Sequence, residues 1–266
     1  MRVLFVGDVI GRPGRKALKR ILPFMKKKYS PHLLVANAEN AAGGVGITRK
    51  TCAELLDEID VLTSGNHIWD KKEVFSFLDE ETRLLRPANY PPQNPGRGSG
   101  VYGVDSGLKI GVLNLQGRVF MDAVDCPFRK ADEELENLRE QTPVVLVDFH
   151  AEATSEKVGM GWYLDGRVSA VLGTHTHVST ADERILPQGT AYITDVGMVG
   201  GYDSVIGIKR EPAVQRFLTA LPQRFVPDKG RMMFASVFLE VDLQTGKALS
   251  IQRELVVEEE SEKPES

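Results

Sequence analysis

A chain of 266 residues with 42% hydrophobic and 26% charged residues has the make-up of a folded globular protein, long enough to bury most of its surface in one large core, and length alone permits one or two domains. The formal charge of −4 sits in the last nine residues, 258–266: taking their five Glu and one Lys from the 37 acidic and 33 basic residues leaves 32 of each sign in the body. That balance excludes the strongly basic domain of a general duplex-binding protein, and no apolar run approaches the roughly 18 residues of a membrane-spanning helix.

The N-terminal Met1 to Gly11 is interrupted by Asp8 too early for a signal peptide, and the two cysteines, Cys52 and Cys126, show no disulfide or zinc-knuckle spacing, so a cytoplasmic protein is expected. Val3 to Val6 reads as a short strand ending in Gly7-Asp8. Arg12-Pro13-Gly14 then turns into a helix with Leu18, Ile21, Leu22 and Met25 on one face, its basic residues along a solvated side and Pro23 as a place for a kink. Leu33 to Ala36 is a second strand, running out into Asn37-Ala38-Glu39-Asn40 and a Gly43-Gly44 loop. A helix over Arg49 to Asp57 leads to the strand Val61 to Thr63 and then to Gly65-Asn66-His67. Asn89 to Ser99 reads as a long loop, Gly100 to Leu115 as a hairpin, and Ala131 to Gln141 as a charged amphipathic helix. Val144 to Val147 is a strand ending in Asp148-Phe149-His150, and Val168 to Leu172 one ending in Gly173-Thr174-His175-Thr176-His177. After Ala191 to Ile193, Gly197 to Gly201 reads as a tight loop, and Met232 to Val241 with Ala248 to Val257 as a hairpin closing the sheet. The repeat of strand, polar loop and helix predicts an α/β fold with covered sheet faces. One domain is expected over 1–257, followed by an acidic, disordered tail over 258–266.

The chain has five histidines, and four of them, His67, His150, His175 and His177, follow short apolar runs. In an extended segment side chains at i and i+2 point the same way, so His175 and His177 are expected to face one point. Asp8, Glu39-Asn40, Asn66-His67, His150 and His175/His177 each fall where a strand meets a loop, and in layered α/β folds such ends converge on one rim. They supply more oxygen and nitrogen donors than one tetrahedral ion needs, and two ions sharing a carboxylate fit the count better. Two divalent cations against two carboxylates would leave about +2 of charge, enough to hold a phosphodiester and a bridging hydroxide.

These blocks, Gly7-Asp8, Gly65-Asn66-His67, His150 and Gly173-Thr174-His175-Thr176-His177, resemble the calcineurin-like metallophosphoesterases, whose fold is a two-sheet α/β sandwich. In detail, with Asn37-Ala38-Glu39-Asn40 and Asp148-Phe149-His150-Ala151-Glu152, they are similar to the YmdB-like branch, regarded as cyclic-nucleotide phosphodiesterases. The chain departs from the wider superfamily at Ile10, where a histidine is usual, and at Glu39, where an aspartate is usual. The resemblance implies Asp8, Glu39, Asn40 and His177 on one ion and Glu39, Asn66, His150 and His175 on the other, with Asn40 in place of the missing imidazole. It also implies His67 as general acid, while the residues themselves leave open that His67 only orients Asn66 or satisfies a buried polar group. The expected cofactors are two divalent or mixed-valence metal ions per chain, iron first, with manganese or zinc as alternatives. The expected activity is hydrolysis of small cyclic nucleotides, against the alternatives of a phosphomonoesterase, an RNA nuclease or a non-catalytic nucleotide sensor. The expected partner is a small phosphodiester substrate, with no stable nucleic-acid complex and no membrane; a homo-oligomer is left open.

Overall fold

The first strand, β1 (Arg2–Val6), is buried along almost its whole length, and its pleat sends Val3 and Phe5 to one side and Leu4 and Val6 to the other. A strand with two apolar faces needs cover on both, and this requirement sets the layers. In the computed structural model, which describes residues 1–104 and 107–259, β1 lies inside a sheet that also holds β2 (Asp8–Val9), β3 (Leu33–Asn37), β4 (Val61–Thr63), β11 (Met198–Gly201), β12 (Met232–Val241) and β13 (Ala248–Val257). The order is β2-β11-β12-β1-β3-β4, with β13 flanking β12; β1, β3 and β4 run parallel. A second sheet is built from β5 (Ser99–Gly103), β6 (Lys109–Gln116), β7 (Val145–His150), β8 (Ala170–Thr174), β9 (Arg184–Ile185) and β10 (Ala191–Ile193), in the order β5-β6-β7-β8-β10-β9.

Val3, Phe5, Leu33 and Val35 of the first sheet meet Ile110, Val112, Leu146 and Leu172 of the second, which makes the inner core of a sandwich. On the outside of the first sheet, Leu4 and Val6 pack with Leu18, Leu22 and Met25 of α1 (Gly11–Tyr29) and with Cys52 and Leu55 of α2 (Arg49–Leu56). On the outside of the second, Val145, Val147 and Phe149 pack with Leu135 and Leu138 of α3 (Pro127–Arg139) and Met160 and Leu164 of α4 (Thr154–Leu164). Each such aliphatic or aromatic side chain contributes about 1.5–3 kcal/mol of transfer free energy, so the layers rather than any single contact hold the sheets together. The result is the expected two-sheet α/β sandwich.

Helix α1 continues through Pro23. Several local expectations shift. Helix α3 begins at Pro127 rather than Ala131, because proline is well placed in a first turn whose N–H groups have no intrahelical partner. The segment Gly197 to Gly201 is not a loop: Met198–Gly201 forms β11, paired parallel to β2 and antiparallel to β12. Part of the glycine signal here comes from close packing between elements, since a Cβ on Gly201 would lie 2.7 Å from the Cβ of Asp228. The final hairpin forms, but β12 takes an internal place beside β1 instead of closing an edge. Helices α4 and α5 (Arg210–Thr219) have no counterpart in the expected elements. Of the acidic tail, residues 260–266 lie outside the described part of the chain. No helix among the described residues is long and apolar enough to cross a membrane.

Candidate metal centre

The pleat that builds the core also aims the polar residues. In β7, Leu146 faces the inner core, so Asp148 and His150, two and four residues on, face it too; Asn37 follows Val35 in β3, and Thr174 follows Leu172 in β8. These four fully buried side chains form a connected set. Asn37 Nδ2 donates to Asp148 Oδ2 at 3.0 Å and Thr174 Oγ1 donates to Asp148 Oδ1 at 2.6 Å. With its proton committed to Asp148, the Thr174 hydroxyl accepts from His150 Nδ1 at 2.9 Å. The proton is thereby fixed on Nδ1, and the Nε2 of His150 is the nitrogen presented to the rim.

Around that Nε2 stand Glu39 Oε1 at 3.2 Å, Asn66 Oδ1 at 3.1 Å and His175 Nδ1 at 3.0 Å, all of them lone-pair donors. A second group lies next to it. His177 donates from Nδ1 to the Ile206 carbonyl at 2.9 Å, which turns its Nε2 toward Asn40 at 3.2 Å and Asp8 Oδ1 at 3.9 Å. Asp8 Oδ1 is buried and has no hydrogen-bond partner among the described residues. Ligand atoms of Glu39, His150 and His175 lie within 4.8 Å of one another, as do those of Asp8, Glu39 and His177, so Glu39 belongs to both groups. Buried acceptors facing each other are costly unless a proton or a metal cation lies between them, and such a set accommodates cations.

The titration of the groups expresses the same demand for positive charge. Burial would lower the His150 pKa, yet the Glu39 carboxylate outweighs it and raises the value to about 9. Burial pushes Glu39 up, but His150 holds it at about 2. Asp8 is driven well above the ordinary carboxylate range by burial, which the pull of His150 only partly offsets. Burial, reinforced by the charge of His150, lowers His175 to about 3, and burial lowers His177.

Space is reserved as well as charge. A Cβ on Gly65 would sit 2.2 Å from His150 Nε2 and 2.5 Å from Glu39 Oε2, inside the ring of donor atoms. The donor chemistry, the unpartnered Asp8 oxygen and this clearance all fit metal ions held between the two sheets. Asn40 presents Nδ2 rather than Oδ1 to Glu39 Oε1, at 2.9 Å, so its use as a ligand requires a flip of the amide, which leaves its shape unchanged.

His175 and His177 converge by a different route from the expected one. Strand β8 ends at Thr174, and both histidines have left-handed backbone, with φ of 102° and 64°. The rings are placed by a kinked loop instead of extended alternation, and for non-glycine residues that conformation is strained. The loop is braced from below: Asp195 accepts the backbone N–H of Thr176 at 3.0 Å through Oδ2 and that of Gly197 at 2.8 Å through Oδ1. Lys157 of α4 meets the same Oδ2 at 2.6 Å, and both members of the pair are buried. His150 is the last residue of β7, as expected at a strand end, with pairing that continues to Gln116 and Thr174.

His67 sits at the start of a short 3-10 turn, Asn66–Trp69, and reaches the cluster by its backbone, whose N–H donates to Glu39 Oε2 at 3.0 Å. Its ring is partly exposed, with Nδ1 at 2.8 Å from Asp70 Oδ2, and Nε2 has no hydrogen-bond partner among the described residues. Sequence reasoning assigned no role to Asp70, to Glu152, which lies 3.0 Å from His175 Nε2, or to Asn37, Asp148, Thr174, Lys157 and Asp195. Asp148 and Thr174 carried the signal of polar residues in apolar strands two and one residues before the site histidines; the Lys157–Asp195 pair, 38 residues apart, carried none.

A profile of the YmdB-like proteins matches residues 4–254. The chain belongs to the YmdB-like family. Among YmdB-like relatives, it is 52% identical over 257 residues, 96% of this chain and 97% of the other, to a Bacillus subtilis (strain 168) protein named 2′,3′-cyclic-nucleotide 2′-phosphodiesterase. A solved structure from Thermus thermophilus, of a hypothetical protein, superposes with a TM-score of 0.90 at 45% identity, covering 97% of this chain and 100% of that one. One from Mycoplasma pneumoniae, titled a novel phosphatase, gives 0.91 at 36% identity, covering 98% of this chain and 94% of that one.

Proposed function

We propose that this YmdB-like chain is a metal-dependent phosphodiesterase acting on small cyclic nucleotides, with Asp8, Glu39, Asn40 and His177 holding one ion and Glu39, Asn66, His150 and His175 the other. The observation that carries the reading is the pair of buried donor groups sharing Glu39, with Gly65 clearing the space beside Glu39 and His150. The phosphodiesterase name of the 52% identical relative supports the reaction class. Bound ions there would supply Lewis-acid charge for a phosphodiester anion and an acidified water. Iron, with manganese or zinc as alternatives, suits the mixed oxygen and nitrogen donors.

The chain's own groups do the rest. Asp148 and Thr174 fix the His150 tautomer, and the Ile206 carbonyl fixes that of His177, so each ring offers Nε2 inward. His67 lies beside the cluster with Asp70 against Nδ1 and Nε2 free to deliver a proton to the leaving alkoxide. The Asp70 carboxylate, 2.8 Å from Nδ1, orients the ring. The test is a hydrolysis screen of the metal-reconstituted protein over 2′,3′-cyclic, 3′,5′-cyclic and linear diesters and a phosphate monoester. Turnover confined to the monoester would refute the reading.

A further inference from the structure

Helix α1 borders a cavity of about 350 Å³ that shares no lining residue with the candidate metal centre. Arg12, Lys16 and Arg20 line it from the helix, Lys229 and Met232 from the turn into β12, and Glu258 from the end of β13. Arg12, Lys16 and Arg20 are four residues apart, so they stack along one helix face, where like charges cost a few tenths of a kcal/mol per pair. The rest of the helix shows how this chain usually treats its cations. Arg15 and Lys19 pair with Glu54, Lys26 with Glu58 and Lys28 with Glu254. In the cavity only Arg20 is compensated, by Glu258. Arg12, Lys16 and Lys229 make no ion pair or side-chain hydrogen bond among the described residues.

Three uncompensated positive charges therefore converge on a concave surface, where low-dielectric walls concentrate their field. The start of α1 adds to it: the helix has no acidic residue in its first turn and no side-chain cap at Ile10 to offset the positive end of its dipole. Pro13 and Met232 provide an apolar wall beside the charges. A dianionic phosphate with an attached organic group matches this combination in charge and polarity, and the volume lies within the range of small-ligand sites.

We infer that this cavity is a binding site for a phosphate monoester of nucleoside monophosphate size, separate from the metal-ligand cluster. The two are joined through the backbone: the N–H of Gly11, next to Arg12, donates to the Asn40 carbonyl at 2.8 Å. The inference does not depend on the proposed reaction, because it is tested by binding alone.

The experiment is calorimetric titration of the metal-loaded full-length chain with adenosine 3′-monophosphate, with inorganic phosphate in a parallel arm. Expected are two binding events for the nucleotide, one of which weakens at least tenfold in Lys16→Glu and in Lys229→Glu and weakens with added salt, while the other is unchanged. Both substituted residues are exposed and unpaired, so these variants are expected to fold normally. Equal stoichiometry and affinity in parent and variants would overturn the inference. Inorganic phosphate binding as tightly as the nucleotide would overturn the monoester assignment, since the Pro13 and Met232 wall would then contribute nothing. A second event seen only after neutralising the tail (Glu260→Gln, Glu262→Gln, Glu265→Gln) would assign the cavity to the chain's own carboxylates and also overturn it.

Discussion

Replacing Lys157 with methionine keeps most of the side-chain volume and removes one charge from a pair in which Lys157 is 1% and Asp195 0% exposed. The Asp195 carboxylate would keep its two backbone donors, Thr176 N–H and Gly197 N–H, but lose its counter-charge at 2.6 Å. Breaking a buried pair from one side costs about 3–5 kcal/mol, which for a chain of this size lowers the midpoint of thermal unfolding by roughly 10 °C. Because Asp195 anchors the peptide between the two left-handed histidines, the loss is expected to reach the candidate metal centre as well. The assay is thermal and urea denaturation of parent, Lys157→Met and Lys157→Met/Asp195→Asn, with metal content measured by elemental analysis. The double variant, having no orphaned charge, is expected to regain part of the stability while remaining poor in metal, because the amide presents only one acceptor oxygen to the two N–H groups. A destabilisation of Lys157→Met below about 1 kcal/mol would refute the argument, since it would mean that water or a proton compensates Asp195 at little cost.

Three further outcomes are expected at the centre itself. Glu39→Ala should lose both metal ions together; one full equivalent retained after anaerobic reconstitution would show that Glu39 is not shared. Gly65→Ala should bind metal poorly, since its Cβ would lie 2.2 Å from His150 Nε2, and unchanged metal content would mean that the strand end shifts to make room. His67→Ala should keep its metal while kcat falls by roughly 10² to 10⁴, with a smaller defect for nitrophenolate leaving groups, which need no proton. A defect equal for all leaving groups would remove His67 from the proton transfer.

What the sequence made legible was the grammar of strand, polar loop and helix, because apolar runs of four or five residues bounded by Gly, Asn and Asp have few other structural solutions. That grammar located the rim on which Asp8, Glu39, Asn40, Asn66, His150, His175 and His177 gather. It failed where backbone conformation is imposed from a distance. The left-handed turns at His175 and His177 depend on a carboxylate 20 residues on and on a lysine from α4, and no local pattern announces either. Strand β11 was hidden because glycines that allow close packing look like glycines that turn. The buried support of His150 was half visible, since Asp148 stands in an otherwise apolar strand, but its link to Asn37 spans 111 residues and exists only once the two sheets face each other.

The division of the cluster between the two sheets bears on how the protein comes into being. Asp8, Glu39 and Asn66 follow strands of one sheet, while His150 and His175 come from the other, and β1, which precedes Asp8, is held in place by β12, more than 200 residues later in the chain. The first-translated residues of the site therefore wait for nearly the last strand before their geometry exists. A cation that needs donors from both halves would find no tight site on a nascent or half-folded chain.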